Sequence, residues 1–459
     1  MVNPRELADH ICAVLRRNGF QSYLVGGCVR DLILQRPPAD YDVATDATPQ
    51  QVSAIFPDAL GVGAQFGVML VPDPRRDPQS PVLTVEVATF RSDIGYSDGR
   101  HPDRVVYTKS AEQDARRRDF TINALLMDPQ KGEILDFVGG QQDLRTGVVR
   151  AIGDPVTRFH EDKLRMLRAV RFAARFGYVI SPSTVVAITG MATGIQEVSA
   201  ERIRDELTKI LTEGAAQRGF ELLDATGLLP VPAVLPEIAA MKGVEQPPQY
   251  HPEGDVWVHT MMMLALLPPG CSPTLAWGVL LHDVGKPPTF APPVGPNGRI
   301  RFDGHAEIGA VMAEAICKRL RFSNDDTAQI VALVANHMTF KDVAKMRPAT
   351  LKRFVRLDRF PEHLELHRAD CLSSHRLLQN YDFVRRFIAE TPPEEVRPPR
   401  LLTGTDLKDM GFTAGPRFKE ILTATEDAQL DGRLRTREEA LSWVRSNFAP
   451  GDAASGGPN

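Results

Sequence analysis

The sequence lacks a long apolar run. No part of the 459-residue chain approaches the ~18 consecutive apolar residues that a membrane-spanning helix needs, so we expect no membrane span and no membrane partner. A signal peptide is not expected either, because Asn3, Pro4 and Glu6 are typical of the start of a helix. The net charge of −4 excludes a general electrostatic attraction to nucleic acid and leaves that role to local basic patches.

Cysteine is also scarce. The five cysteines form no Cys-x-x-Cys pair, which argues against a disulfide framework and against a thiolate zinc site. A reducing, cytoplasmic location is the simplest interpretation.

The chain nevertheless has enough apolar material for several packed cores. Apolar residues make up 43 % and charged residues 24 % of it, and its length predicts roughly two to four domains. Short β-rich runs at 22–25, 68–71 and 83–88 predict strands in an α+β head, and helical patterns dominate afterwards. The predicted segments are a head (1–150), a helical neck (151–227), a Pro-rich linker (228–252), a helical body (253–390), a small C-terminal helical module (391–450) and a disordered tail (451–459).

A glycine pair follows the first predicted strand. Gly26 and Gly27 would bring bare backbone N–H groups to the start of a helix, where phosphate binds well. Arg30, in the first turn of that helix, would add a charged fork for phosphate oxygens. Taken alone, a Gly-Gly turn is a weak signal of phosphate binding.

Acidic residues follow this turn. On a strand, residues i and i+2 face the same side, so Asp40 and Asp42 would repel each other unless a cation lay between them. Such a pair suits one or two Mg²⁺ ions that also hold a triphosphate, whereas an isolated Asp-x-Asp is usually a solvated strand end or turn. Glu86, inside the predicted strand 83–88, is either a third acid of this site or an exposed edge residue.

Two charged segments come next. Residues 91–119 mix both signs of charge around Gly95 and Gly99, which predicts a mobile loop. In the neck, four arginines recur at helical spacing behind Glu161 and Asp162, which favours a phosphate-facing helix side over a merely solvated one. These arginines are Arg165, Arg168, Arg171 and Arg175. The later segment 201–206 is interpreted as an amphipathic neck helix with ion pairs.

The body contains histidines and aspartates in order on successive predicted helices. A lone histidine on an apolar face is usually a satisfied core residue, but an ordered set suits Zn²⁺, Mn²⁺, Fe²⁺, Ni²⁺ or Co²⁺. The set comprises His259, His282, Asp283, His305, His337 and Asp370.

The motifs of the head and neck resemble the class II tRNA nucleotidyltransferase/poly(A) polymerase family, which includes CCA-adding enzymes. They are GGxxRD at 26–31, DxD at 40–42, RRDFTINA at 117–124 and EDxxR at 161–165. The resemblance implies a polymerase-β-like nucleotidyltransferase head with a mixed sheet, followed by an all-α neck and an all-α HD body and tail. It also implies template-independent addition of CCA to the 3′ end of tRNA from CTP and ATP, with two Mg²⁺ ions at the head.

The resemblance assigns roles residue by residue. Asp40 and Asp42 would bind the Mg²⁺ pair, with Glu86 as a looser match for a third catalytic carboxylate. Asp162 and Arg165 would act as an amino-acid template for the incoming base. The triphosphate and nucleotide site would comprise Gly26, Gly27, Arg30, Arg117, Arg118, Asp119 and Asn123, with Arg168 and Arg171 from the basic helix side.

The body resembles an HD-domain metal-dependent phosphohydrolase. This resemblance implies a first metal site at His259, His282, Asp283 and Asp370, and a second metal or phosphate site at His305 and His337. Lys286 would neutralise a phosphate oxygen. HD domains fused to this family are active in some members and mainly structural in others, so the sequence leaves hydrolysis open.

Several alternatives remain open from the sequence. The segment 91–109 argues against an enzyme that adds only CC, whereas an A-only enzyme stays possible. The segment 61–67 lacks the basic run usual in bacterial poly(A) polymerases, which disfavours that activity. The alternative from another class is a phosphohydrolase whose head only binds RNA.

Overall fold

The computed structural model describes residues 3–448 except 62–66, 75–81, 96–98, 100–101, 250 and 296–297. The predicted disordered tail therefore lies outside the described residues, as does most of the segment 61–67. The chain forms two compact units. The first unit comprises Met1–Ala240, Leu267–Pro273 and Lys318–Phe322, and the second comprises Met241–Leu266, Thr274–Cys317 and Ser323–Asn459.

The first unit is built on a six-stranded mixed sheet with the order β3-β4-β2-β1-β7-β8. Its β2 and β4 run parallel, and the other neighbours are antiparallel. Smaller ladders join β5 to β6 and β9 to β10. The strands are β1 (Ser22–Val25), β2 (Asp42–Thr45), β3 (Val68–Pro72), β4 (Thr84–Thr89), β5 (Arg91–Ile94), β6 (Arg104–Tyr107), β7 (Leu126–Met127), β8 (Ile134–Leu135), β9 (Val148–Val149) and β10 (Val179–Ile180).

The three strands predicted from β-rich composition are confirmed to within a residue at each end. Side chains alternate between the two faces of β4, so Val85 and Val87 are buried in the core while Glu86 between them is exposed. The segment 91–119, predicted to be a mobile loop, contains regular secondary structure instead. Antiparallel pairing of β5 with β6 and a following helix order much of that segment, because β-branched residues such as Val105 and Val106 favour a ladder.

Helices surround this sheet and form the neck. The first helix begins at Pro4, as predicted, with the Asn3 side chain accepting a hydrogen bond from the Arg5 backbone N–H. The helices before residue 241 are α1 (Pro4–Arg17), α2 (Gly27–Ile33), α3 (Pro49–Ile55), α4 (Ala111–Arg116), α5 (Gly140–Thr146), α6 (Pro155–Glu161), α7 (Arg165–Phe176), α8 (Pro182–Met191), α9 (Ala200–Thr212), α10 (Ala216–Ala225) and α11 (Pro236–Ala239), with short 3₁₀ helices at Thr121–Asn123 and Ala192–Glu197.

The segment between α6 and α7 interrupts the predicted helical neck. Asp162 ends α6 in an extended conformation, and its Oδ1 accepts a hydrogen bond from the Leu164 backbone N–H at 3.0 Å. The chain therefore turns at Asp162 and restarts as α7, which buries Leu167 and Val170 on its core side. Asp162 therefore lies in the turn between two helices and not on the side of one continuous helix.

The Pro-rich segment 228–252 is not uniformly exposed. Leu228, Leu229, Leu235 and Ile238 are fully buried, and residues through Ala240 belong to the first unit. The bounds of the predicted segments stay predictions.

The second unit is helical, and its described residues include no β-strand. None of the described helices of the chain is long and apolar enough to cross a membrane. The helices after residue 241 are α12 (Val256–Ala265), α13 (Pro273–Leu281), α14 (Lys286–Thr289), α15 (His305–Arg319), α16 (Asn324–Asn336), α17 (Pro348–Phe354), α18 (Phe360–Ser373), α19 (Gln379–Glu390), α20 (Pro393–Val396), α21 (Gly404–Asp409), α22 (Pro416–Leu430) and α23 (Arg437–Asn447), with a 3₁₀ helix at His337–Lys345.

Candidate nucleotide site and histidine–aspartate cluster

A cavity of about 410 Å³ in the first unit gathers most of the residues that the sequence motifs single out. It brings together residues from α2, β2, the segment after α4 with its 3₁₀ helix, and α7, which are up to about a third of the chain apart in sequence. Its lining comprises Gly26, Gly27, Arg30, Asp42, Arg117, Arg118, Asp119, Asn123, Asp162, Arg165, Arg168 and Phe172. Phe172 is the member that sequence reasoning missed, because an aromatic residue on an amphipathic helix is indistinguishable from core.

The glycine turn forms one wall of the cavity. Gly26 has φ +80°, and a Cβ placed on it would lie 3.4 Å from Arg118 Nη1. That distance is an ordinary van der Waals contact, so glycine is needed here for the backbone conformation. Arg30 is buried and held at two points, since its Nε donates to Asp31 Oδ1 at 2.8 Å and its Nη1 donates to Asn123 Oδ1 at 2.7 Å.

Three carboxylates meet at one edge of the cavity. Asp42 begins β2 and is the register partner of Glu86 on β4. The pKa of Asp42 is raised to about 6. Burial is the largest cause, and the negative charges of Glu86 and Asp40 also raise this pKa, whereas the positive charge of Arg118 lowers it. One prediction needs correction here: Asp40 lies before β2 and is exposed, so strand alternation does not place it beside Asp42.

Two arginines of the RRDFTINA segment share one buried carboxylate. Arg117 Nε donates to Asp114 Oδ1 at 2.9 Å, and Arg118 Nη2 donates to Asp114 Oδ2 at 3.1 Å. Burial raises the pKa of Asp114, but the two guanidinium groups outweigh it and lower that pKa below its ordinary value. Sequence reasoning missed Asp114, although its spacing of three and four residues on a helix was the available signal.

The predicted template pair is held from outside the cavity. Arg202 Nη2 donates to Asp162 Oδ2 at 2.7 Å, which fixes the acid. Arg165 Nη1 donates to Glu161 Oε2 at 2.5 Å and to the Arg158 carbonyl at 3.1 Å, which fixes its guanidinium. The interpretation of 201–206 as an ion-paired neck helix is confirmed, and one of its ion pairs reaches the site.

The basic side of α7 is divided between two tasks. Arg168 lines the cavity and donates to Asp119 Oδ2 at 2.6 Å, and both side chains are partly buried. Arg171 does not line the cavity, which corrects its predicted phosphate-facing role. It is buried against Glu206 at 2.6 Å and Glu213 at 3.2 Å, so two carboxylates already neutralise it.

The histidine–aspartate set comes together within the second unit. His259 Nε2 lies 3.2 Å from Asp370 Oδ1, and His282 Nε2 lies 3.0 Å from Asp283 Oδ2. His305 Nε2 lies 3.2 Å from His337 Nε2. The side chains form two groups whose ligand atoms lie within 4.8 Å of one another, namely His259, His282 and Asp370, and Asp283, His305 and His337.

Asp283, which was expected at the first site, lies between the two groups. Its Oδ2 lies 3.0 Å from His282 Nε2, and its Oδ1 lies 3.7 Å from both His305 Nε2 and His337 Nε2. Lys286 was expected to face a phosphate. It is buried instead, with its Nζ 2.7 Å from Asp283 Oδ2 and 2.6 Å from Gln246 Oε1.

The donor set fits a divalent transition metal. His259 Nε2, His282 Nε2 and Asp283 Oδ2 are buried, and none makes a hydrogen bond of good geometry within the described residues. Buried polar atoms usually have such a partner, and a cation held by imidazole and carboxylate would provide it.

Comparison with known proteins gives a consistent result along the chain. The poly A polymerase head domain family matches residues 22–150, the family described as a probable RNA and SrmB-binding site of polymerase A matches 177–242, and the HD domain family matches 258–374. A CCA-adding enzyme of Geobacillus stearothermophilus is 41 % identical over 228 residues, which cover 50 % of this chain and 54 % of that protein. One of Limosilactobacillus reuteri is 37 % identical over 262 residues, covering 57 % and 63 %.

These matches span about half the length of the curated relatives. Over nearly the full length, the fold is similar to the crystal structure of the Bacillus stearothermophilus CCA-adding enzyme in complex with CTP, with a TM-score of 0.74 and 27 % identity over 97 % of this chain and 98 % of that one. The Thermotoga maritima CCA-adding enzyme complexed with tRNA shares the fold at 18 % identity and a TM-score of 0.56, covering 98 % and 97 %.

Proposed function

We propose that the chain is a member of the class II tRNA nucleotidyltransferase/poly(A) polymerase family with a fused HD domain, and that it adds CCA to the 3′ end of tRNA, using CTP and ATP and releasing pyrophosphate. One observation carries this proposal. A single cavity combines the glycine turn and Arg30 for phosphate, Asp42 for metal, and Asp162 with Arg165 for the base. These are the three parts that nucleotide transfer without a nucleic-acid template requires.

The residues of the cavity divide the work. Asp40, Asp42 and Glu86 would hold Mg²⁺, which supplies activation of the RNA 3′-hydroxyl and stabilisation of the leaving pyrophosphate. The backbone of Gly26 and Gly27 and the fixed guanidinium of Arg30 would bind the triphosphate. Positioning and charge stabilisation then account for most of the catalysis.

Base selection would rest on two side chains rather than on a template strand. Cytosine and adenine each carry an amino group beside a ring-nitrogen acceptor, whereas uracil and guanine carry a carbonyl beside a ring N–H. Asp162 accepts from the amino group and Arg165 donates to the ring nitrogen, so the pair fits C and A and opposes U and G. Their anchors, Arg202 and Glu161, support this role because they leave little freedom for either side chain.

The proposed partners and location follow from the same features. We propose that the neck and second unit bind the acceptor arm of tRNA through its shape and phosphates rather than its sequence. All five cysteines lie among the described residues and are free, with four of them buried, which supports a cytoplasmic location.

The decisive experiment measures nucleotide incorporation with Mg²⁺ into tRNA transcripts that end before CCA, after C, and after CC. Each transcript receives CTP alone, ATP alone, or both, with Asp42→Ala as the control. Full CCA addition that then stops supports the proposal. Extension of only the CC-ended transcript by one A identifies an A-only enzyme, a stop after CC identifies a CC-only enzyme, and long A tracts identify a poly(A) polymerase.

A second activity is proposed for the histidine–aspartate cluster. The buried imidazole and carboxylate atoms that cluster at His259, His282 and Asp283 favour metal-dependent phosphoester hydrolysis. The test compares hydrolysis of p-nitrophenyl phosphate and bis(p-nitrophenyl) phosphate, with Mn²⁺, Co²⁺, Ni²⁺ or Zn²⁺, by the unmodified protein and two variants. Loss of activity in His282→Ala but not in Asp42→Ala supports it, and equal activity in all three proteins contradicts it.

A further inference from the structure

Three of the clustered histidines are oriented by the same local contact. The Nδ1 atom of His282 lies 2.8 Å from the Val279 carbonyl, that of His305 lies 2.8 Å from the Phe302 carbonyl, and that of His337 lies 2.6 Å from the Val334 carbonyl. In each case the carbonyl belongs to the residue three positions earlier. This contact places the proton on Nδ1 and leaves the Nε2 lone pair facing the cluster.

His259 is the exception to this pattern. The equivalent carbonyl is that of Val256, and it accepts a hydrogen bond from Thr260 Oγ1 at 2.8 Å. The Nδ1 atom of His259 lies instead 2.7 Å from Glu253 Oε1, a close charged contact without the alignment of a regular hydrogen bond. A carboxylate from the segment before α12 thus stands where a backbone carbonyl stands for the other three histidines.

Glu253 is held in this position by burial and by a second histidine. Its side chain is only 4 % exposed, and Oε1 also accepts from His251 Nδ1 at 2.8 Å. Its Oε2 is buried without a hydrogen bond among the described residues. Burying a carboxylate is costly unless polar groups compensate for the lost water, so the two imidazoles account for its place in the fold.

The loop that carries Glu253 is fixed at the start of the helix that carries His259. Asp255 caps α12 by accepting from the Val258 backbone N–H at 2.7 Å, and its Oδ2 accepts from the Gly243 backbone N–H at 2.8 Å. Glu253 and His259 are thereby held on either side of one cap.

We propose that Glu253 is a positioning residue of the metal site, which holds the His259 ring at Nδ1 and so aims its Nε2 at the space beside His282 and Asp370. Glu253 itself is not a ligand of that metal, because it contacts the ring nitrogen on the side away from Asp370. The proposal rests on the metal-dependent activity proposed for the second unit. Sequence reasoning missed Glu253 because a single glutamate between Pro252 and Gly254, at the first position of the predicted body, belongs to no ligand pattern.

The first test measures metal affinity of the full-length protein. Ni²⁺ is titrated calorimetrically in excess Mg²⁺, which occupies the oxygen-rich head site while imidazole prefers Ni²⁺. We expect Glu253→Ala to weaken Ni²⁺ binding by ~10–100-fold, the usual cost of losing an outer carboxylate partner. Glu253→Gln, which keeps an acceptor oxygen, should recover most of that loss, and Glu245→Gln, an exposed neighbour in the same segment, should match the unmodified protein.

The second test uses the Zn²⁺-loaded protein, which is diamagnetic, and separates positioning from a merely structural role. Histidine-selective ¹⁵N labelling reports which ring nitrogen of His259 binds the metal, with His259→Gln used to assign its signal. We expect Nε2 to bind the metal in the unmodified protein and in Glu253→Gln, and this signal to be lost or divided in Glu253→Ala. An unchanged signal in Glu253→Ala, or a Ni²⁺ affinity of Glu253→Ala equal to that of the unmodified protein, overturns the proposal. Failure of the unmodified protein to bind either metal overturns the metal site, and with it this role of Glu253.

Discussion

Asp42 and Glu86 are register partners on the parallel strands β2 and β4. Side chains at such positions lie on the same face of the sheet, so two like charges are held side by side at the edge of the cavity. The negative charge of Glu86 contributes to the raised pKa of Asp42, after the larger effect of burial. The backbone therefore fixes a pair of acids whose repulsion a divalent cation would relieve.

Removing the charge of Glu86 should lower the pKa of Asp42 below about 6 in the Mg²⁺-free protein, because a like charge next to a carboxylate raises its pKa. The measurement is a ¹³C-carboxyl NMR titration of Glu86→Gln against the unmodified protein. Glu112→Gln, on the exposed side of α4, is the control and should leave that pKa unchanged. A pKa of Asp42 that stays at about 6 in Glu86→Gln would contradict the coupling.

Arg202→Ala should reduce selectivity for the base while leaving the fold intact. The change removes the charge-assisted hydrogen bond to Asp162, and such bonds contribute about 1.5–3 kcal/mol, so the preference for CTP over UTP should fall roughly tenfold or more. The measurement is the ratio of kcat/KM for the two nucleotides. The control is Arg204→Ala on the same helix, because the Arg204 guanidinium pairs with Asp205; this variant should keep the ratio. An equal loss of selectivity in both variants would contradict the prediction.

Gly26→Ala should weaken nucleotide binding as well as stability. A positive φ strains any other residue by about 1–3 kcal/mol, and the added Cβ also lies 3.4 Å from Arg118 Nη1. Gly19→Ala is a matched control, since Gly19 has φ +85° and no atom within 4 Å of the added carbon. Both variants should lower the midpoint of thermal unfolding, but only Gly26→Ala should raise the KM for CTP and ATP. A raised KM in Gly19→Ala would show that strain alone is responsible.

The Asp119–Arg168 pair should make the first unit more stable at neutral pH than in acid. Burial raises the pKa of Asp119, but the charge and hydrogen bonds of Arg168 outweigh it and bring that pKa to about 2, below the ~3.9 of an unfolded chain. The stabilisation is therefore complete above pH ~4 and disappears as pH falls towards 2.

Asp119→Asn should accordingly destabilise the first unit by about 2 kcal/mol at pH 7, and the difference should shrink below pH ~4. Hydrogen exchange of peptides from α7 measures it, because the tryptophans at 257, 277 and 443 all belong to the second unit. Asp58→Asn, an exposed site, should change little. A difference that persists undiminished at pH 2.5 would contradict the assigned pKa.

Local chemistry made much of the fold and site predictable. Some sequence features carry a strong local preference for one backbone conformation, and the folded protein keeps it. Examples are the β-rich runs, the cap at Asn3 and the Gly-Gly turn. The cavity was predictable because its motifs combine charge with a required backbone conformation, as at Gly26 and Arg30.

The errors have physical causes as well. Helical spacing predicts that Arg171 faces the same side as Arg168. It does not reveal that a neighbouring helix supplies Glu206, which pairs with the Arg171 guanidinium. Strand alternation was applied to Asp40, which lies before the strand begins. The position of Asp283 between two ligand groups depends on how distant segments pack, which spacing along one chain does not encode.

The central claim, that two protein side chains select the base, is tested most directly by kcat/KM for CTP, ATP, UTP and GTP on tRNA lacking CCA and tRNA ending in CC. The unmodified protein should use CTP on the first RNA and ATP on the second, and discriminate against UTP and GTP on both. In Asp162→Ala that discrimination should collapse, while Lys163→Ala beside it should retain it. Equal use of all four nucleotides by the unmodified protein, or full discrimination in Asp162→Ala, would contradict the account.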